Sequence, residues 1–117
     1  MLIKRKKQQK RFKSPICGFL IDIVKTKDFG IVRANNIGIT GKHYHKKTTE
    51  VYHLISGELT VEVKEKGKKE KKVKLKSGDA LVLQPYDTHK IIKASSNNEL
   101  IVTCVPDWRE EDEILVE

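Results

Sequence analysis

Three side chains in the middle of the sequence have the types and spacing of a metal site. His43 and His45 are separated by one residue, so both imidazoles face the same side of an extended strand. Glu50 follows after four further residues, and His89 begins a later apolar run. Imidazole nitrogens and a carboxylate oxygen are suitable ligands for divalent Mn, Fe, Co, Ni, Cu or Zn. The pattern therefore favours a transition-metal site, with His89 as a further candidate ligand.

The spacing of these residues resembles the first motif of the cupin superfamily. That motif consists of a glycine, then His-x-His, three or four residues, Glu, six residues and Gly. His43, His45, Glu50 and Gly57 match it, and the leading glycine is displaced by one residue at Gly38.

A second cupin motif follows: Gly, five residues, Pro-x-Gly, two residues, His, three residues and Asn. Gly78 and His89 stand at the expected separation. Between them the Pro-x-Gly element is replaced by residues 84–86, Gln-Pro-Tyr, and the final Asn is Lys93. These departures affect turns and the lining of the pocket, and all four ligand positions are retained.

The resemblance implies an all-β fold, the double-stranded β-helix (cupin or jelly-roll) barrel. It implies one divalent metal ion, Mn, Fe, Ni, Zn, Co or Cu, on His43, His45, Glu50 and His89. Cupins include dioxygenases, sugar-phosphate isomerases, decarboxylases, lyases and non-enzymatic binding modules, so the fold does not select a reaction. We expect a metal-dependent oxygenase or isomerase acting on a small polar metabolite. The alternative is a non-catalytic binding or sensor module.

Strand periodicity suggests which neighbouring residues face the metal. Counting from Glu50, Tyr52 shares the ligand face, whereas His53 faces outward. Tyr52 is therefore the candidate catalytic residue, since its hydroxyl can donate a hydrogen bond to a substrate oxygen; filling of the core is the alternative. Arg33 and Asn35, on the preceding strand, are candidates for contact with an anionic or hydroxylated ligand, with surface exposure as the alternative.

Short runs of β-branched and aromatic residues recur along the chain, separated by turn residues, which is typical of a barrel or sandwich. The expected strands are residues 16–24, 29–35, 50–55, 58–64, 72–76, 79–85, 89–94 and 99–105. A charged tip around Gly67 joins two of them into an exposed hairpin. Only the C-terminal residues, DWREEDEILVE, offer a turn of helix.

The positive charge is concentrated at the N-terminus. Residues 1–13 contain seven of the 24 Lys and Arg residues and no acidic residue, so the remaining 17 nearly balance the 16 Asp and Glu. We expect residues 1–13 to be a basic, disordered tail or an arm that docks on a neighbouring subunit, and residues 14–117 to form a single cupin domain. Binding of nucleic acid by the tail is the less favoured alternative.

Cys17 and Cys104 both lie among apolar residues, which is typical of small buried thiols in a reducing cytoplasm. No secretory signal and no apolar stretch of membrane-spanning length is recognised, so a cytoplasmic protein is expected.

The first apolar run also predicts a homodimer. Ile16, Leu20 and Val24 would face one side of a strand while Phe19, Ile21 and Ile23 face the other. A strand that is apolar on both faces needs a second surface, and a symmetric partner is a common source. The alternative is that the C-terminal segment around Trp108 covers this strand within a monomer.

Overall fold

The computed structural model describes residues 1–116 of the chain. In this range the chain forms eleven strands and no α-helix. Two single turns of 3-10 helix lie at Lys6–Gln8 and Glu110–Asp112. The strands are β1 (Lys10–Ser14), β2 (Gly18–Lys25), β3 (Gly30–Asn35), β4 (His43–His45), β5 (Thr49–Ser56), β6 (Glu58–Lys64), β7 (Lys71–Lys76), β8 (Ala80–Leu83), β9 (Thr88–Ala94), β10 (Glu99–Val105) and β11 (Glu113–Leu115).

The strands form two antiparallel sheets. One has six strands in the order β1-β2-β3-β10-β5-β8, and the other has five in the order β11-β4-β9-β6-β7. Because β3, β4, β5 and β6 lie in alternate sheets, the chain crosses repeatedly from one sheet to the other. This is the arrangement of a double-stranded β-helix, and it confirms the predicted all-β cupin-type fold. No helix among the 116 described residues has the length and apolarity needed to cross a membrane.

The core lies between the two sheets and follows from strand alternation. In β6 the apolar residues at every second position, Leu59, Val61 and Val63, are buried, and their neighbours are exposed or half-buried. From the six-stranded sheet, Leu54 and Leu100 stand opposite each other on β5 and β10 and are fully buried. The core thus fixes the register of the strands that carry the candidate ligands.

Two motif glycines stand where the backbone requires a positive φ. Gly57, with φ 91°, connects β5 to β6, and a Cβ there would come within 3.0 Å of the Asn98 backbone. Gly78 has φ 95° in the turn before β8. Tyr86 occupies the place of the glycine in the Pro-x-Gly element and still has φ 70°. The turn therefore keeps the left-handed conformation although the sequence lacks the glycine.

Three strands lie outside the predicted set: β1, β4 and β11. The prediction placed the boundary of the basic tail after residue 13, but Lys10–Ser14 form β1, which pairs with β2 at the edge of the six-stranded sheet. Alternation explains this strand, since Phe12 stands opposite Leu20 while Arg11 and Lys13 face away. The division into a tail over residues 1–13 and a domain over residues 14–117 stays a prediction.

The C-terminal segment covers the inner side of β1 and β2. Trp108 packs against the core together with Leu20, and its ring centroid lies 6.2 Å from that of Phe12. On the opposite side of β2, Phe19 is 54% exposed and is overlain by the Arg11 guanidinium at 4.0 Å. The C-terminal segment thus packs on the inner face of β1 through Phe12, while Phe19 on the outer face of β2 stays exposed.

Candidate metal centre

The candidate ligands come from both sheets. His43 and His45 are the ends of the three-residue strand β4, and both point into the barrel while Tyr44 is half-buried. His89 lies beside His43 because β9 pairs with β4 at these two residues. Glu50 projects from β5 in the facing sheet. The site therefore exists only when the two sheets are packed together.

The four side chains converge. Oε1 of Glu50 lies 3.1 Å from Nε2 of His45 and 3.0 Å from Nε2 of His89. One ligating atom from each of His43, His45, Glu50 and His89 lies within 4.8 Å of every other. None of the four residues exposes more than 7% of its surface. The buried cluster is thus positioned for metal binding.

Groups around the cluster hold the imidazoles in orientation. Nδ1 of His43 hydrogen bonds to the Gly41 carbonyl oxygen at 2.8 Å, and Nδ1 of His89 hydrogen bonds to that of Asp87 at 3.0 Å. These two bonds place the protons on Nδ1 and leave the Nε2 lone pairs free for a metal ion. Nδ1 of His45 faces the Asp112 carboxylate, 3.8 Å away.

The turn before β9 connects the two histidine strands. The backbone N–H of Tyr86 donates to the His45 carbonyl oxygen at 2.7 Å. The Asp87 carboxylate accepts a hydrogen bond from the Gln84 backbone N–H at 2.9 Å, which closes the same turn. The segment that carries His89 is thereby held against the segment that carries His45.

The donor set fits a metal ion. Nε2 of His45 and Nε2 of His89 each lie 3.0–3.1 Å from Oε1 of Glu50, but the angles are not those of a hydrogen bond, and these three buried atoms form none within residues 1–116. A buried polar atom without a partner destabilises a fold by about 1–3 kcal/mol, so three such atoms at one point call for a shared partner. Three imidazoles and one carboxylate are the ligand types of a divalent transition metal.

Burial and mutual charge shift the pKa values of the cluster. Burial, reinforced by the nearby His89, lowers the pKa of His43 to about 4. Burial opposes the ionised forms of Glu50 and His45. Their attraction outweighs it, so that the pKa of Glu50 lies well below its usual range and that of His45 lies above its own. A neutral His43 and an ionised Glu50 are the protonation states that a metal ion needs.

A cavity of about 350 Å³ opens beside the cluster. Glu50 lies at its inner end, and Tyr52 lines it two residues further along β5. Burial and the Glu50 charge raise the pKa of Tyr52 well above its usual value, so Tyr52 keeps its phenolic proton. The apolar walls are formed by Phe12, Leu20, Val32, Ile37, Leu100, Val102 and Trp108.

Sequence reasoning missed Glu113, a carboxylate that lines this cavity close to the candidate ligands. Glu113, on β11, lines the cavity, and one of its carboxylate oxygens, a ring nitrogen of His43 and the Cys17 sulfur lie within 4.8 Å of one another. Oε2 of Glu113 accepts a hydrogen bond from Nε1 of Trp108, whereas its buried Oε1 has no partner in the described part of the chain. Burial raises the pKa of Glu113, partly offset by the Trp108 hydrogen bond.

Of the other candidates, two lie where strand periodicity put them and two do not. Tyr52 is buried in the cavity wall and His53 is exposed on the outer face, as predicted. Arg33 and Asn35 do not face the cavity, because Val32 and Ala34 are the inward residues of β3. Neither residue lines the cavity, so the alternative in which Arg33 and Asn35 lie outside the site is the one that the structure favours.

The comparisons with known proteins agree with this architecture. The family description "Cupin domain" matches residues 34–106, which is more than half of the chain. The chain belongs to the cupin family. A search of curated proteins found no match.

Solved structures share the cupin fold at low sequence identity. Pac13 of Streptomyces, described as a unique nucleoside dehydratase, superposes with a TM-score of 0.77 at 17% identity, covering 100% of this chain and 92% of its own. KdgF from Halomonas sp. gives 0.73 at 18% identity, covering 94% and 98%. The capsular polysaccharide assembling protein CapF from Staphylococcus aureus gives 0.71 at 14% identity, covering 93% of this chain and 32% of CapF.

Proposed function

We propose that this cupin is a metal-dependent enzyme that acts on a small polar metabolite. One divalent ion, Mn, Fe, Co, Ni, Cu or Zn, would be held by His43, His45, Glu50 and His89. The observation that carries the proposal is the convergence of these four buried side chains, one of which, Glu50, also lines a 350 Å³ cavity. A cavity of this size suits a small metabolite and not a polymer.

The bound ion would supply Lewis-acid polarisation of a substrate oxygen, or, as iron, the ability to react with dioxygen. These two properties correspond to isomerase-like and dioxygenase-like chemistry. The chain's own residues have separate tasks. The Tyr52 hydroxyl can donate a hydrogen bond to a substrate oxygen, and the Glu113 carboxylate can accept one from a substrate hydroxyl. The apolar walls around them exclude water from the reacting groups.

A non-catalytic binding module is the competing function. A purely apolar cavity would favour it, whereas a second acid or base near the metal favours an enzyme. Glu113 is such a group: it is half-buried, and one of its carboxylate oxygens lies within 4.8 Å of a ring nitrogen of His43. Pac13, a nucleoside dehydratase also solved with uridine, has a similar fold over the whole length of this chain. These two observations favour the enzyme.

Metal analysis tests the proposal. The purified full-length protein should contain close to one equivalent of a divalent metal, and removal by a chelator should lower its melting temperature, because the ion binds only the folded state. Iron-loaded protein would then be assayed for oxygen consumption, and manganese- or nickel-loaded protein for isomerisation, with panels of sugars and other hydroxylated metabolites. If none of the six metals binds at micromolar concentration, the proposal is rejected.

We also propose a cytoplasmic homodimer. The thiols Cys17 and Cys104 are both free, in keeping with a reducing compartment. Four large apolar residues on the strands of the six-stranded sheet or at their ends are each 42–54% exposed: Phe19, Ile55, Val82 and Val105. A face of this kind on a soluble protein favours an interface, and a second copy of the chain presents the same face.

Sedimentation measures this association. The wild-type chain should sediment at twice the monomer mass of 13.4 kDa at micromolar concentration. Replacing Ile55 and Val82 by Lys should give the monomer, whereas Ile39→Lys, at an apolar position that is 70% exposed in a loop, should not. Deletion of residues 1–13 should leave the dimer intact, because it spares β2, β5, β8 and β10, which carry the four exposed residues. A monomeric wild-type chain would reject the dimer.

A further inference from the structure

Glu113 is held in place from two sides. The strand β11 pairs with β4, which sets the Glu113 backbone beside that of His45. At the tip of the side chain, the indole N–H of Trp108 donates to Oε2. Oε1 is buried and receives no hydrogen bond from residues 1–116. The carboxylate is therefore fixed with one acceptor oxygen satisfied and the other one free.

A free buried acceptor indicates the chemistry of the group that would satisfy it. In its ionised form the Glu113 carboxylate only accepts hydrogen bonds, so the partner of that form is a hydroxyl or an N–H group. A second carboxylate or a phosphate at the same place would be repelled by Glu113, and also by Glu50 unless the metal neutralises it. The inner end of the cavity is thus selective for a donor.

The basic groups around the cavity do not offset this repulsion. Lys25 is paired with Asp107 at 3.3 Å, and Lys10 stands opposite Asp22 across the β1–β2 pair. The Arg11 guanidinium lies over the Phe19 ring on the outer face of β2. Lys10, Arg11 and Lys25, the three basic residues that line the cavity, are all exposed, so none of them is buried beside Glu113.

We propose that Glu113 is the second anchor of the substrate and selects a hydroxylated ligand over a phosphorylated or dicarboxylic one. A hydroxyl of the ligand donates to Oε1 while the metal-facing end reaches His43, His45, Glu50 and His89. This inference rests on the proposed function and narrows its substrate class to neutral polyhydroxylated metabolites of the sugar or polyol type, without a phosphate at the reacting end.

Glycolate and oxalate form a matched pair of probes. Both chelate a metal ion through two oxygens in a five-membered ring, but one oxygen of glycolate is a hydroxyl that can donate to Glu113, whereas oxalate presents a second carboxylate. Their dissociation constants would be measured on cobalt-loaded, full-length protein by calorimetry and by the visible absorption of cobalt. The ratio of the two constants is the readout, and it needs no turnover.

The variant Glu113→Gln tests the acceptor without changing the size of the side chain. Because the Trp108 N–H keeps the amide oxygen on its side, the amide N–H₂ group of the new side chain takes the place of Oε1 and can only donate. We expect the preference for glycolate relative to oxalate to fall at least about tenfold, since a hydrogen bond to a charged group is lost and a repulsion is removed. Glu110→Gln, an exposed neighbour with the same change of charge, should leave the ratio unchanged.

Cobalt binding and the ratio of the two dissociation constants together distinguish the anchor from the proposed function. If cobalt binds and the ratio changes only in Glu113→Gln, the anchor is supported. If cobalt and both probes bind, and the ratio of the two dissociation constants is the same in the wild type and in Glu113→Gln, the anchor is wrong. The metal-dependent function then still stands. If the wild-type protein binds no metal, the proposed function and the anchor both fail. Circular dichroism of Glu113→Gln would verify that the variant is folded.

Discussion

Residues 34–106, which match the cupin domain, and the segments on either side of them contribute different groups to the cavity. The matched segment supplies all four candidate ligands and Tyr52. The N-terminal segment supplies Phe12 and Leu20, and the C-terminal segment supplies Trp108 and Glu113. In the proposed function the metal chemistry would thus belong to the part that the family shares, and the selection of a ligand would fall to segments outside the match.

The largest effect should come from a ligand in the matched segment. His89→Ala removes one of three imidazoles, and metal affinity should fall by more than about a hundredfold, beyond the range of changes to groups that only orient ligands. His53→Ala is the matched control, because His53 lies on the ligand strand β5 but is exposed on the outer face. Metal content by mass spectrometry separates the two variants. Equal loss in both would contradict the assignment of the site.

A change in the C-terminal flanking segment should leave metal affinity unchanged and lower the free energy of unfolding. Trp108→Ala removes the packing against Phe12 and the hydrogen bond to Glu113, so the free energy of unfolding should fall by about 2 kcal/mol, less than for a fully buried Trp. Trp108→Phe keeps most of the packing and should cost about 1 kcal/mol. Urea denaturation gives these values. Loss of bound metal from either folded variant would contradict the division between the two regions.

Asp112 tests whether the flanking segments have any effect on metal binding. It lies outside residues 34–106 but contacts the loop between β4 and β5, the strands that carry His45 and Glu50. Its carboxylate accepts hydrogen bonds from the backbone N–H groups of Lys47 and Thr48 at 3.0 and 3.1 Å and faces Nδ1 of His45. Asp112→Asn should lower metal affinity about tenfold, as for other groups that orient a metal-binding histidine. The exposed Glu111→Gln should have no effect. Competition with a metal-binding dye measures the affinities.

The pH dependence of the metal-free protein tests the candidate ligands without the ion. The pKa of His43 is about 4 in the folded state and about 6.5 when unfolded, so between these values the unfolded chain binds more protons. Stability should therefore fall as the pH drops from 6.5 towards 4, by at most about 1.4 kcal/mol for each pH unit. His43→Gln should reduce this slope. A slope that is the same in both proteins would contradict the assignment of His43 as the buried, neutral imidazole.

The metal cluster and the main strands were predictable because they rest on short-range regularities. The offsets of His43, His45 and Glu50 along the chain, together with the second motif around His89, determine the ligand positions. The parity of Tyr52 and His53 on β5 follows from counting along one strand from Glu50. No knowledge of a distant segment is needed for any of these inferences.

The remaining parts depend on pairing between distant segments. The face of β3 is set by its pairing with β10, in which Ala34 meets Leu100, and the sequence around Arg33 does not contain that register. β1 was missed because charged residues surround its single aromatic residue, as is common in edge strands. Glu113 was missed because DWREEDEILVE indicated only a turn of helix, which is present at Glu110–Asp112, and gave no sign of the strand after it.

The pairing of β11 with β4 also has a consequence for biosynthesis. β4 carries His43 and His45, but its neighbour β11 is among the last parts of this sequence to leave the ribosome. Until residues 112–115 emerge, β4 lacks one of its two neighbouring strands and the ligand loop lacks the Asp112 carboxylate. The candidate ligands are thus made before their site is complete, and in the proposed function the ion would be loaded as a late step, after β11 has paired with β4.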